Sequence, residues 1–275
     1  MQTNEELKRV VREAYGQIAT QGVTQSGCCS SKSNSCCGSD ADSAVFSENY
    51  SSLKGYNPEA DFGLGCGLPT EYAHIKEGDT VVDLGSGAGN DCFVARYAAG
   101  PTGKVIGVDM TAQMVELARK NALKLGLENV EFRLGEIEHL PVRDEEADVV
   151  VSNCVLNLVP DKEAALGETF RILKKGGHFS VSDIVTSGPI PEGLRKEAAL
   201  YAGCVSGAML KEDYLKLIEK KGFINVKIQK EQTHQLPDEL LNMYLNEQEL
   251  LDYKKGFAGI LSITVYAEKP GGKTA

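Results

Sequence analysis

Two groups of residues in this 275-residue chain have types and spacings suited to chemistry. The first is a set of eight cysteines, at 28, 29, 36, 37, 66, 92, 154 and 204. Thiolates select soft, thiophilic ions, and three of them without a fourth suit a pyramidal trivalent centre better than tetrahedral zinc. The chain has no C-x2-C pair, which counts further against zinc. The second group is Asp83-x-Gly85-x-Gly87-x-Gly89, set in Val81-Val82-Asp83-Leu84-Gly85-Ser86-Gly87-Ala88-Gly89-Asn90-Asp91. An apolar run ending in an acid, then glycines, then helix-forming sequence is a strand, a tight turn and a helix start. Bare backbone and unpaired N–H groups there let a ligand approach closely. Asp109 ends the next apolar run, and an acid roughly 20 residues on is where such sheets hold a ribose hydroxyl. Asn90 stands where a pyrophosphate-binding loop needs its third glycine, so a dinucleotide is the poorer fit.

The elements that must position these groups follow from periodicity. Strands are expected near 80–84, 104–109, 129–134, 147–153 and 177–184. Helices are expected near 69–75, 90–99, 111–125 and 161–174, with Thr111 and Asp161 as N-caps and Gly126 and Gly176 as stops. Alternation of strand and helix implies a doubly wound α/β fold, a mostly parallel sheet with right-handed crossovers. Ahead of it, residues 4–20 read as a helix that Asn4 can cap. Residues 21–44 are rich in Gln, Ser, Gly and Cys without periodicity, a linker by composition. Residues 47–62 read as irregular, with Pro58 blocking a helix. Beyond Ile184 come helices near 192–202, 210–221 and 237–251, two closing antiparallel strands at 223–228 and 260–267, and room for a lid between those strands. The expected division is an N-terminal cysteine-bearing segment (1–62), a nucleotide-binding domain (63–188) and a C-terminal α+β extension (189–275).

In such a sheet the fourth strand lies beside the first and ligands sit at their carboxyl ends. Cys154, just past strand four, is therefore expected to face the glycine loop. Cys66 and Cys204 lie among glycines (Gly65-Cys66-Gly67, Gly203-Cys204), which favours access over packing. Cys92, inside the helix after the loop, reads as a small buried hydrophobe.

Leu64-Gly65-Cys66-Gly67-Leu68-Pro69, the Asp83–Cys92 loop, Gly135-Glu136-Ile137-Glu138-His139-Leu140-Pro141, Ser152-Asn153-Cys154-Val155-Leu156-Asn157-Leu158 and Gly203-Cys204-Val205 together resemble the arsenite S-adenosylmethionine methyltransferases. The resemblance runs from about residue 5 to 228, and the cysteines are its discriminating part. It implies a class I methyltransferase that moves methyl groups from S-adenosylmethionine to arsenite and methylarsenite. The cofactor residues it implies are Asp83, Gly85, Ser86, Gly87, Asn90, Asp109, Met110, Gly135, Glu136, Ile137 and Asn153. It also implies that Cys66, Cys154 and Cys204 bind As(III), and that an N-terminal cysteine pairs with Cys66 as a redox disulfide, reset by thioredoxin or glutathione. Cys37 is taken as that partner, with Cys28, Cys29 and Cys36 left open.

A net charge of −10 argues against nucleic acid and anionic membranes as partners. With no apolar run of membrane length and no leader-like start, a cytoplasmic location is expected, where vicinal thiols stay reduced. Two competing readings use the same residues. A methyltransferase of a small organic acceptor, such as a quinone or sterol precursor, leaves the three cysteines without a task. A soft-metal binding protein leaves the cofactor loop without one.

Overall fold

The computed structural model describes residues 3–21, 46–189, 207–235, 241–242, 245–254 and 259–271. Its core is an eight-stranded sheet in the order β3-β2-β1-β4-β5-β8-β7, with β6 added on β5. The strands are β1 (Thr80–Leu84), β2 (Lys104–Asp109), β3 (Val130–Leu134), β4 (Ala147–Asn153), β5 (Leu173–Thr186), β6 (Met209–Leu210), β7 (Ile224–His234) and β8 (Ile260–Glu268). Strands β1 to β5 pair in parallel, and β8 runs antiparallel between β5 and β7.

Side chains alternate across each strand, so β1 feeds two cores at once. Val82 and Leu84 pack on one face with Ile106, Val150 and Phe179. Val81 packs on the other with Val105, Val149, Cys92 and Phe93. Because β1 and β4 are buried on both faces, they read as nearly unbroken apolar runs.

The helices are α1 (Asn4–Gln21), α2 (Pro69–Tyr72), α3 (Asn90–Ala99), α4 (Ala112–Lys124), α5 (Lys162–Ile172), α6 (Lys211–Lys220) and α7 (Glu247–Lys254). Asp161 caps α5 as expected, accepting the Ala164 amide at 2.8 Å. Three expectations need correction. The cap of α1 is Thr3, whose hydroxyl accepts the Glu6 amide while Glu6 accepts the Thr3 amide, a reciprocal box that Asn4 cannot form. Gly176 does not stop α5, which ends at Ile172; it lies inside β5, near the register shift between β4 and β5. Finally, β7 continues to His234, so the first part of the span expected to hold a lid belongs to the sheet. The helix expected near 192–202 lies outside the described residues. No described helix is long and apolar enough to cross a membrane.

The strand order changes direction at β1, which has β2 on one side and β4 on the other. Over the carboxyl ends there lies a third apolar cluster that includes Val11 of α1, Phe46, Cys66, Cys154, Leu158 and Ile184. The loop carrying Cys66 reaches this place only because its neighbours lack side chains. A Cβ on Gly65 would lie 2.6 Å from Asn153 Nδ2, and one on Gly67 would overlap the Ser182 hydroxyl. Gly67→Ala is therefore expected to lower stability by about 1–3 kcal/mol, the range for overfilling a packed site. Urea unfolding of the purified variant checks this, and an unchanged midpoint would show that the loop is not pressed against β5.

Candidate active site

A pocket lies above β1 and β4, between the glycine loop and one face of α1. Asp83, Gly85, Ser86, Gly87, Asn90, Asp109, Met110, Gly135, Ile137, Asn153 and Cys154 all line it. Of the residues expected to hold the cofactor, Glu136 alone does not. Its carboxylate instead binds Lys8 Nζ at 2.6 Å and Arg12 at 3.2 Å. Glu138, two residues on, is buried and lines the pocket in its place.

The glycine loop is held from both sides. Gly85 and Ser86 amides donate to the Val108 carbonyl, the Gly87 amide donates to Asp109 Oδ2 at 2.9 Å, and Asn121 of α4 donates to the Ala88 carbonyl. Gly87 has φ near +51°, and nothing stands within 4 Å of where its Cβ would be, so the backbone lies open to a ligand. The Ser86 hydroxyl is buried without a hydrogen-bond partner among the described residues. An unsatisfied donor beside bare backbone is what a polar cofactor would complete.

The floor of the pocket is acidic. Burial pushes the Asp83 carboxyl well up, and the nearby Asp91 charge adds to this. Burial lifts Asp91 to about 6, against hydrogen bonds from Tyr50, Asn153 and Thr70. Burial also raises Asp109, opposed by amides from Thr111 and Gly87. Cys92 does more than pack: its thiol donates to Asp83 Oδ2 at 3.2 Å, and burial, then the Asp83 charge, keep it protonated. Acids gathered in this way favour a cation. The sulfonium and ammonium of S-adenosylmethionine supply two, so the residues present fit that cofactor.

Asn153 joins this pocket to the cysteine loop. Its Oδ1 accepts the Cys66 amide at 2.9 Å, while its Nδ2 donates to the Gly67 carbonyl at 2.8 Å and to the Tyr50 hydroxyl. Tyr50 in turn lies 2.8 Å from Asp91 Oδ2. Cys154 follows Asn153 directly. It holds φ near +60°, a left-handed conformation uncommon outside glycine, and its amide donates to the Ser182 carbonyl at 2.7 Å. Cys66 and Cys154 are both buried thiols in one apolar cluster, so the glycines flanking Cys66, expected to favour access, instead allow its loop to pack closely. Beside them Tyr214 packs in the interior, its hydroxyl donating to Asp183 at 3.3 Å. Burial pushes Tyr214 well up, and the charges of Asp183, Cys66 and Cys154 add to that. Cys37 and Cys204 lie outside the described residues. Sequence reasoning did not pick out Lys8, Tyr50, Asp91 or Glu138. Asp91 and Glu138 carried a signal, Asp91 at the end of the glycine-loop motif and Glu138 by its place in the same motif as Glu136.

The comparisons with known proteins agree with this geometry. A family model described as a methyltransferase domain matches residues 75–222. The chain is 41% identical over 281 aligned positions to an arsenite methyltransferase of Halobacterium salinarum, covering 97% of this chain and 67% of that one. It is 42% identical over 168 positions to human arsenite methyltransferase, covering 58% of this chain and 44% of the human protein. The crystal structure of an arsenic (III) S-adenosylmethionine methyltransferase from Chlamydomonas reinhardtii superposes with a TM-score of 0.64 at 35% identity, covering 76% of this chain and 68% of that one. The chain thus spans two thirds of the archaeal relative and less than half of the human one. Identity at that level along nearly its whole length makes the chain a member of the arsenite methyltransferase family, within the S-adenosylmethionine-dependent methyltransferases.

Proposed function

We propose that the protein methylates trivalent arsenic held as a thiolate complex by Cys66, Cys154 and Cys204, with arsenite and methylarsenite as substrates. The observation that carries this reading is the placing of Cys66 and Cys154 in one apolar cluster, with Cys154 also on the wall of the cofactor pocket. When bound, S-adenosylmethionine supplies an electrophilic methyl group on a sulfonium. Binding arsenic through sulfur displaces its hydroxides, which leave as water with the thiol protons. The thiolates would aim the arsenic lone pair at the methyl carbon, with the electron pair of the breaking C–S bond going to the donor's sulfur. No general base is needed, because the nucleophile is a lone pair. Orientation of the lone pair supplies the main rate advantage. Val11, Leu158 and Met110 at this end of the pocket exclude water from the reacting atoms.

Attack raises the arsenic formally from three to five. Two thiols return the two electrons by closing to a disulfide; Cys66 with Cys37 is the pair proposed here. Thioredoxin or glutathione then reopens it by thiol–disulfide exchange. The reaction fits a reducing, cytoplasmic setting.

The decisive assay mixes labelled S-adenosylmethionine, arsenite and thioredoxin or glutathione, then separates the arsenic species. Label in methylated arsenic is expected. Cys154→Ser or Cys204→Ser is expected to bring turnover of both arsenite and methylarsenite to background. Activity of either variant on methylarsenite would confine that residue to the first methylation. Cys66→Ser is expected to lose arsenite turnover while sparing methylarsenite, and equal loss on both would contradict capture by three thiolates at the first step only.

The acidic floor makes cofactor affinity pH-dependent. A cation binds the ionised carboxylates, so affinity falls as pH drops through about 6, where Asp91 takes a proton. Between pH 7.5 and 5.5 neutralising Asp91, about three quarters of which is protonated at the lower pH, should raise the dissociation constant by up to about fourfold. For the empty protein the sign is opposite: with its folded value raised, Asp91 weakens the fold as pH climbs from about 4 to about 6. Isothermal titration calorimetry should also show proton release on binding, and Asp91→Asn should flatten the profile. An affinity constant across this range would refute the charge argument.

A further inference from the structure

Helix α1 lies outside the region matched as a methyltransferase domain, yet one of its faces forms a wall of the cofactor pocket. Lys8, Val11 and Tyr15 recur at helical spacing on that face and all line the pocket. Val11 also packs into the apolar cluster that holds Cys66 and Cys154. One helix therefore covers both the cofactor and the thiols.

The way α1 is fastened is unusual for a merely structural helix. Lys8 is buried, with Nζ 2.6 Å from Glu136 and 3.0 Å from Glu138. Arg12 adds a second tie to Glu136 at 3.2 Å. Both acids flank Ile137 in the turn after β3, so all these polar ties converge on one short segment at the rim of the pocket. Burial pulls the Lys8 ammonium down, but Glu136 and Glu138 together hold it above its ordinary value. Apolar side chains would hold the helix without the desolvation cost of a buried ammonium. An ion pair at a rim does something apolar packing does not: it is strong when closed, yet water and the helix can replace it in one step. Glu138 is also a pocket wall, so the ammonium that fastens the helix fixes a carboxylate facing the cofactor.

We propose that Lys8 is a positioning residue that clasps α1 over the cofactor pocket, and that opening of this clasp sets how fast S-adenosylmethionine and S-adenosylhomocysteine leave. The inference rests on the cofactor site and is independent of how arsenic is held. Glu136, the acid expected to touch the cofactor, serves as the outer half of the clasp.

The test measures dissociation of S-adenosylmethionine and S-adenosylhomocysteine from the full chain by stopped-flow displacement, without arsenic. Lys8→Met is expected to speed both dissociation rates about tenfold, a loss of about 1.4 kcal/mol of retention. In turnover it should raise KM for S-adenosylmethionine. Lys8→Arg keeps both ion pairs and should restore slow release. Glu136→Gln removes the outer tie at a partly exposed position and keeps the proposal testable if Lys8→Met folds poorly. It should speed release by a smaller factor. Wild-type rates in both Lys8→Met and Glu136→Gln would overturn the proposal. So would Lys8→Arg releasing as fast as Lys8→Met, since that would make the effect one of packing.

Discussion

The side-chain amide of Asn153 is the tie on which the rest of the site depends. A single planar group accepts from the backbone of Cys66, donates to the carbonyl of Gly67 and donates to Tyr50, which is itself bound to Asp91. It stands at the end of β4, the strand next to β1 at the point where the sheet changes direction. The position of the cysteine loop is thus referred to the same strand end that supports the glycine loop. In-line attack on a methyl carbon tolerates little displacement, so a rigid link between the two binding loops is the structural counterpart of that demand. Aspartate could not replace it, because a carboxylate has no donor for Gly67 or Tyr50.

Two opposing kinds of environment meet at this residue. On one side three carboxyls are buried at a cost to stability, each pushed up by desolvation. On the other, thiols lie in an apolar cluster with Leu158 and Ile184. The backbone shows where this arrangement is strained. Cys154 is held left-handed, at a cost of roughly 1–2 kcal/mol for an ordinary residue. Its bond to Ser182 and the packing around it offset that cost. Strain of this kind persists where the surroundings over-determine a conformation, and it places the thiol beyond the strand end and on the pocket wall.

Much of the frame was legible because periodicity and glycine spacing are local signals. The five parallel strands fall within a residue or two of their expected bounds except β5, whose first residues were read as helix. The confusion there is physical: Leu173 to Gly177 follow α5 directly, and only the pairing of Leu173 with Ala147 of β4 and the bonds of Gly176 and Gly177 to Lys269, just past β8, tie them to the sheet. The glycine loop, Asp83, Asp109 and Asn153 were legible as a motif. What was not legible depends on contacts distant in sequence. Lys8 meets Glu136 across 128 positions, and Tyr50 meets Asn153 across 103. Nothing in the local sequence distinguishes Glu136 from Glu138, and the lysine that pairs with both sits on a helix that periodicity alone cannot dock.

The charge of the pocket also gives the reaction a direction. The floor acids would attract the positive charge of a bound methyl donor, whose sulfonium would become a neutral thioether once the methyl left. Attraction between the acids and the cofactor therefore falls at the moment product forms, whereas the adenosine and amino-acid parts are held as before. A pocket relying on electrostatics alone would lose its grip on both ligands whenever water entered, because exposed charges are screened. Roofing the acids with α1 keeps the local dielectric low and makes the difference of one charge count. Selectivity for the donor over its product thus needs both the buried acids and the helix that covers them, and an ion-paired fastening lets that cover be removed once per turnover.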